Sequence, residues 1–200
     1  MSLENLRWTV LASLMAALTA VGAYIHIPIG PVPVVLSTLF VLLSGLLLGS
    51  RWGLIGMGLY LLIGAMGIPV FAGGKGGFAH FIGPTGGYLF GYALSAWVTG
   101  FLSERSQGSP ILDVSAIVFG SLAIYLVGVP WLKVVTKMSW EKSLVVGMFP
   151  FLIGDAVKGA VALILARSAR PMLNRQIQIL NPSQPPFRKK GRRSSVEENK

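Results

Sequence analysis

Between Arg7 and Arg51 the chain runs for 43 residues without a single Asp, Glu, Lys or Arg. A soluble domain draws about 25% of its residues from those four types, so a stretch this long without one offers no ordinary water-facing surface. It is also too long for one membrane crossing, because about 20 apolar residues rising ~1.5 Å each already cover a hydrocarbon core of about 30 Å. The cluster Pro28-Ile29-Gly30-Pro31-Val32-Pro33 divides it. Prolines remove backbone donors and stop a helix. The run therefore reads as two helices, near 7–27 and 34–50, joined by a tight Pro/Gly loop.

The rest of the chain follows the same pattern. Over all 200 residues, 53% are hydrophobic and only 12% charged, which excludes a soluble globular domain, a disordered chain and a coiled coil. The absence of cysteine excludes a disulfide framework, a thiolate metal site and a cysteine nucleophile. The uncharged stretch from Arg51 to Lys75 predicts a third helix near 52–68, ended by Pro69 and the glycines that follow. A fourth is expected near 84–103, starting at Pro84, where proline suits a first turn. Asp113 precedes a fifth, near 112–131, and Lys142 a sixth, near 143–167. The expected fold is an all-α integral membrane protein, with six transmembrane helices and irregular Pro/Gly-rich external loops, spanning residues 1–170.

Six crossings put both termini on one side. Arg7, Arg51, Arg105 and the basic C-terminal segment share that side, which predicts that it is cytoplasmic, although Lys133, Lys137 and Lys142 oppose the trend. The first helix does not read as a signal peptide, because its apolar stretch is long and more membrane follows. Of the net charge of +10, residues 167–200 hold +7 and residues 1–166 hold +3. The charge is thus a terminal feature, and the reading is no nucleic-acid partner but a basic, disordered cytoplasmic tail over 171–200 beside the lipid bilayer.

The polar groups that remain inside apolar segments carry the functional argument. Asp155 and Lys158 lie three apart in the last helix, hence on one face. An intramembrane charge costs about 2.5 kcal/mol or more and is a functional candidate by default. The pair can neutralise itself when empty and still offer acceptors and donors to a ligand. A structural ion pair, or a pair that snorkels to the interface, is the alternative. A second candidate is the segment 69–88, with seven glycines in 20 residues (Gly73, Gly74, Gly76, Gly77, Gly83, Gly86 and Gly87). Its backbone N–H groups can face a ligand oxygen, or it is a mobile external loop. It is not a phosphate-binding loop, since no Gly-Lys-Ser/Thr opens a helix there.

His26, His80 and Lys75 read as solvated loop side chains, and neither histidine has the partners of a metal site. Trp8, Tyr24, Trp52, Trp131 and Trp140 read as interfacial anchors, with Trp131 also placed to wall a site. Ala12, Ala16 and Ala20 form a small-residue stripe that suits close helix packing, either within this chain or against a partner. No ATP-binding motif occurs, so active transport would draw its energy from another protein.

The ordered motifs Gly30-Pro-Val-Pro33, Ser37-Thr-Leu-Phe40, Gly64 to Val70, Phe71-Ala-Gly-Gly, Gly83-Pro-Thr-Gly-Gly-Tyr88, Gly128-Val-Pro-Trp131 and Gly154-Asp155-x-x-Lys158 resemble the BioY family over roughly residues 7–167. These are the biotin-capturing S components of energy-coupling factor (ECF) transporters. The resemblance implies high-affinity biotin uptake across a bacterial cytoplasmic membrane, no cofactor, and no covalent chemistry on the ligand. It places Asp155 and Lys158 at the ureido head group, and brings Gly76, Gly77, Thr85 and Tyr88 into the binding set. Its implied partners are a membrane T subunit docked on Ala12, Ala16 and Ala20 with two cytoplasmic ATPases, or further copies of the chain. Ser37 departs from the glutamine common in the family at that place. Against this stand three alternatives: capture of a different small vitamin, an intramembrane enzyme using Asp155 and Lys158 as acid and base, and a structural scaffold.

Overall fold

The computed structural model describes residues 3–106 and 108–180. Two helices, α1 (Leu3–Tyr24) and α2 (Ser37–Ala65), flank an antiparallel hairpin of β1 (His26–Ile27) and β2 (Val34–Val35). The hairpin is a structured element where the sequence suggested an irregular loop. It stays short because Pro28, Pro31 and Pro33 cannot donate to a ladder. Leu36 N–H pins its end to the carbonyls of Gly22 and Ile25 at 3.1 and 3.0 Å.

Gly49 turns α2 back on itself. Its φ of 77° and ψ of −174° lie in a region that only glycine occupies readily. On the far side, a Cβ added to Gly53 would sit 3.3 Å from Gly45 Cα. Along a straight helix those residues would stand about 12 Å apart, so residues 37–48 and 50–65 are antiparallel neighbours. They correspond to the separate helices expected near 34–50 and 52–68. In an unbroken helix Ser50 N–H would bond the Leu46 carbonyl. Here Ser50 N–H donates to Glu104 Oε1 at 2.7 Å, and the Leu46 carbonyl accepts from Arg170 Nη2 at 3.1 Å.

The Gly-rich segment contains a one-turn helix, α3 (Ala79–Ile82), and leads into α4 (Gly86–Arg105). α4 is wedged between its neighbours: an added Cβ at Gly45 would meet the Ala96 carbonyl at 2.7 Å, and one at Gly91 would meet Ile124 Cα at 3.0 Å. Ile124 belongs to α5 (Pro110–Thr136), which continues through Pro130 past the expected end near 131. The expected sixth helix is two pieces, α6 (Trp140–Gly147) and α7 (Phe149–Leu180). Pro150 explains the break, having no N–H for the Val146 carbonyl and clashing with it.

Among the described residues four stretches are long and apolar enough to cross a bilayer: Asn5–Tyr24, Ser37–Ala65, Pro110–Thr136 and Trp140–Leu173. The shorter α4 is not among them. Its buried side carries Ser95 and Thr99, both 0% exposed. α7 runs on beyond residue 170, where the sequence suggested the domain would end. Residues 181–200, most of the expected tail, lie outside the described residues.

The bundle has two distinct ends. One carries the β-hairpin and the Gly-rich segment, tied together by Tyr24 Oη, which donates to the Pro69 carbonyl at 2.5 Å. The other carries Gly49, Glu104, Asp113 and Arg170. There the start of α1 meets α7, with Arg7 Nη2 donating to the Leu173 carbonyl at 3.3 Å.

Candidate ligand site at the loop end

The break before α7 sets the position of the charged pair. With Pro150 unable to donate and Phe151 N–H turned to Met148, the Gly147 carbonyl is left to accept from Tyr88 Oη at 2.8 Å. Asp155 and Lys158 then fall in the second and third turns of α7, near the loop-bearing end. Lys158 Nζ lies 2.6 Å from Asp155 Oδ1, with side-chain exposures of 10% and 12%. The same ammonium donates to Thr38 Oγ1 at 2.7 Å and to the Val35 carbonyl at 3.1 Å.

Two of the ammonium's protons go to Thr38 and Val35 as directed hydrogen bonds, and Asp155 Oδ1 faces it as an ion pair. Asp155 is less completely engaged. Its Oδ2 accepts from the Tyr125 hydroxyl. Its Oδ1 faces the ammonium but accepts no directed hydrogen bond, although buried. The pair is thus neutral as a unit, and Oδ1 retains lone-pair capacity beyond its ion pair.

The pair opens into a small pocket of about 40 Å³, also lined by Thr38, Ile124, Tyr125 and Phe151. Beyond it lies a larger cavity of about 230 Å³ under the hairpin and the Gly-rich segment. Val32, Pro33, Val35, Tyr88 and Tyr92 line both spaces and form the wall between them. The Tyr92 hydroxyl stands beside Ser37, which is 1% exposed and lines the larger cavity.

The structure gathers some of the expected residues and not others. Tyr88 touches both spaces and Thr85 lines the larger one. Gly76 and Gly77 line neither. Gly76 is pressed under the Ile68 carbonyl, and Gly77, at φ 102°, donates its N–H to the Gly64 carbonyl at 2.7 Å, so both shape the segment. Trp131 is a strut, donating from Nε1 to the Gly83 carbonyl at 3.0 Å, and lines neither space. Ala12 and Ala16 are buried at 1% and 3%, and a Cβ at Gly56 would stand 3.0 Å from the Ala12 carbonyl. Ala20 is only partly exposed, and the outward face of α1 shows Val10, Ser13, Leu14, Ala17 and Val21.

Sequence reasoning missed Tyr125 and Thr38 as partners of the pair, and Tyr92 in the wall beside it. The signal for Thr38 lay in its place in the Ser37-Thr-Leu-Phe40 motif, five residues after the proline cluster. Tyr125 carried none, because a tyrosine in an apolar helix reads as packing. His26, Lys75 and His80, expected as separate solvated side chains, all line the larger cavity. Among the described residues no group of three His, Cys, Asp or Glu is placed to hold a metal ion.

The family model for BioY matches residues 1–175. The chain belongs to the BioY family. It is 42% identical over 161 residues to the biotin transporter BioY of Thermotoga maritima, covering 80% of this chain and 94% of that one. It is 40% identical over 156 residues to a probable biotin transporter BioY of Pyrococcus horikoshii, covering 78% and 91%. Its fold matches the crystal structure of the S component for biotin from an ECF-type ABC transporter, with a TM-score of 0.80 and 27% identity over 86% of this chain and 95% of that one. The BioY relationship therefore spans the helical bundle and both loops that wall the site.

Proposed function

We propose that this chain captures biotin and carries it across the cytoplasmic membrane as the substrate-binding subunit of an ECF transporter. The observation that carries the reading is the Tyr125–Asp155–Lys158–Thr38 cluster. A ureido ring presents two N–H donors and one carbonyl. Asp155, with lone pairs left beyond its ion pair, accepts from the former, and Lys158 turns a proton to the latter by releasing Thr38 or Val35. Nothing in this exchange makes or breaks a covalent bond, so the ligand leaves as it entered.

In this reading the bundle makes six crossings, with the halves of α2 counted separately and α4 included. The end bearing Arg7, Arg51, Arg105 and Arg170 faces the cytoplasm, following the positive-inside bias, and the cavity opens outward. A T subunit and two ATPases supply the energy. Because Ala12 and Ala16 are turned inward, α1 would meet a partner through the face of Ser13 and Ala17, whose small side chains permit close approach. Labelled-biotin uptake by cells making the chain with and without T subunit and ATPases tests the proposal. Uptake of chemically unchanged biotin supports it, and absence of biotin binding or recovery of a modified product overturns it.

A further inference from the structure

The end of the bundle opposite the site is sorted by charge. The carboxylates described there, Asp113 and Glu104, are already engaged: Asp113 by Arg170, and Glu104 by the Ser50 N–H at 2.7 Å and the Ser50 hydroxyl at 3.1 Å. Arg51, Arg105 and Arg167 are exposed at the same end. Among the described residues the ion pairs are Asp155–Lys158 and Asp113–Arg170, so these three arginines have no carboxylate partner there. Arg105 makes no ion pair even with Glu104, its neighbour in the chain.

Two of these guanidinium groups are held on aromatic rings. Arg105 Cζ stands 3.4 Å from the Phe101 ring centroid, and Phe101 stacks on Trp97 at 5.4 Å with 22° between the ring planes. Both rings are on the exposed side of α4, at 37% and 41%. Arg51 Cζ stands 5.9 Å from the Trp52 centroid, and Trp52 stacks on Trp8 of α1 at 6.4 Å. In each case the arginine lies closer to the end of the bundle than its ring. A ring covers only one face of a guanidinium, whose five N–H donors lie in its own plane. The contact therefore fixes the head and leaves its edge to take two oxygens of one anion. Aromatic belts of this kind lie at headgroup depth.

We propose that the arginine-bearing end is a binding surface for anionic phospholipid headgroups, with Arg51 and Arg105 each taking a lipid phosphate. Charge complementarity carries the choice of occupant. A net-anionic lipid supplies the counter-charge that the fold withholds from these arginines, whereas a zwitterionic lipid brings a cation of its own to the same phosphate. A free anion would leave Trp97 and Phe101 uncovered; the acyl chains of a lipid held on Arg105 lie along them. The surface is remote from the cavity and does not depend on what the cavity binds.

Native mass spectrometry of purified full-length protein, released from mixed micelles holding equal amounts of phosphatidylglycerol and phosphatidylcholine, tests this. The wild type is expected to retain phosphatidylglycerol in preference. The double variant Arg51→Gln, Arg105→Gln is expected to lower the ratio of the two bound lipids about fivefold, as for loss of one basic side chain's attraction at each lipid. The basic C-terminal segment is common to both proteins, so the difference reads the two arginines. Both side chains are exposed, and the double variant is expected to melt at the wild-type temperature. A ratio unchanged in the double variant overturns the surface, and so does a wild type without preference, as for arginines that face water, free anions or a partner protein. Biotin titration of the same two proteins is expected to give equal affinities, so failure of the lipid surface and failure of the biotin reading are told apart.

Discussion

Arg170 grips Asp113 with two nitrogens, Nη1 to Oδ2 at 2.6 Å and Nη2 to Oδ1 at 3.2 Å, and the same guanidinium reaches the Leu46 carbonyl that the turn at Gly49 exposes. Ser103 and Ser106 complete the cluster, at 2.7 Å from Arg170 Nη2 and 2.9 Å from Asp113 Oδ1. One arginine thus joins α7 to α2, α4 and α5 at the end opposite the site. Asp113 is fully buried, so removing Arg170 leaves an unpaired carboxylate, at a cost of about 3 kcal/mol or more. Arg170→Ala should lower the melting temperature in detergent markedly, while Arg167→Ala, at an exposed position one turn earlier, should barely change it.

Gly49 should tolerate neither alanine nor asparagine. Its φ and ψ fall outside the left-handed helical region that asparagine accepts, and an added Cβ would strike Glu104. Backbone strain of about 1–3 kcal/mol adds to loss of the Glu104 bond to Ser50. Thermal melts of both variants should show similar losses, and rescue by asparagine would contradict this geometry.

Tyr125→Phe removes the hydroxyl that holds Asp155 Oδ2 and leaves ring packing in place. The expected result is biotin affinity about tenfold weaker, equivalent to one hydrogen bond to a charged group, with little change in melting temperature. Calorimetric titration beside a thermal melt checks both halves.

Deletion of residues 182–200 should leave biotin affinity unchanged, because every group in the site lies between Ala23 and Lys158. Equilibrium binding to the shortened chain reads this directly.

The sequence made Asp155 and Lys158 visible because charges are scarce in apolar helices, and it separated the two halves of α2 because glycine and arginine interrupt the run near 49–51. It hid what depends on convergence. Asp113 and Arg170 each look like an ordinary charge at a helix end, and only packing brings them together across the bundle. Tyr125 looks like filler until its hydroxyl is seen on a carboxylate. Lys75, His26 and His80 belong to two loops, and nothing local predicts one wall. The alanine stripe left its neighbour undecided for a related reason: small side chains signal close approach but not to what, and Gly56 of α2 lies against Ala12.

The most direct test of the account is biotin titration of the purified wild type and Asp155→Asn, each with a thermal melt. The account predicts binding by the wild type, affinity weakened about a hundredfold in the variant, as for loss of a charged acceptor in a desolvated pocket, and a variant that still melts cooperatively. A folded Asp155→Asn protein that binds biotin as tightly as the wild type would contradict it.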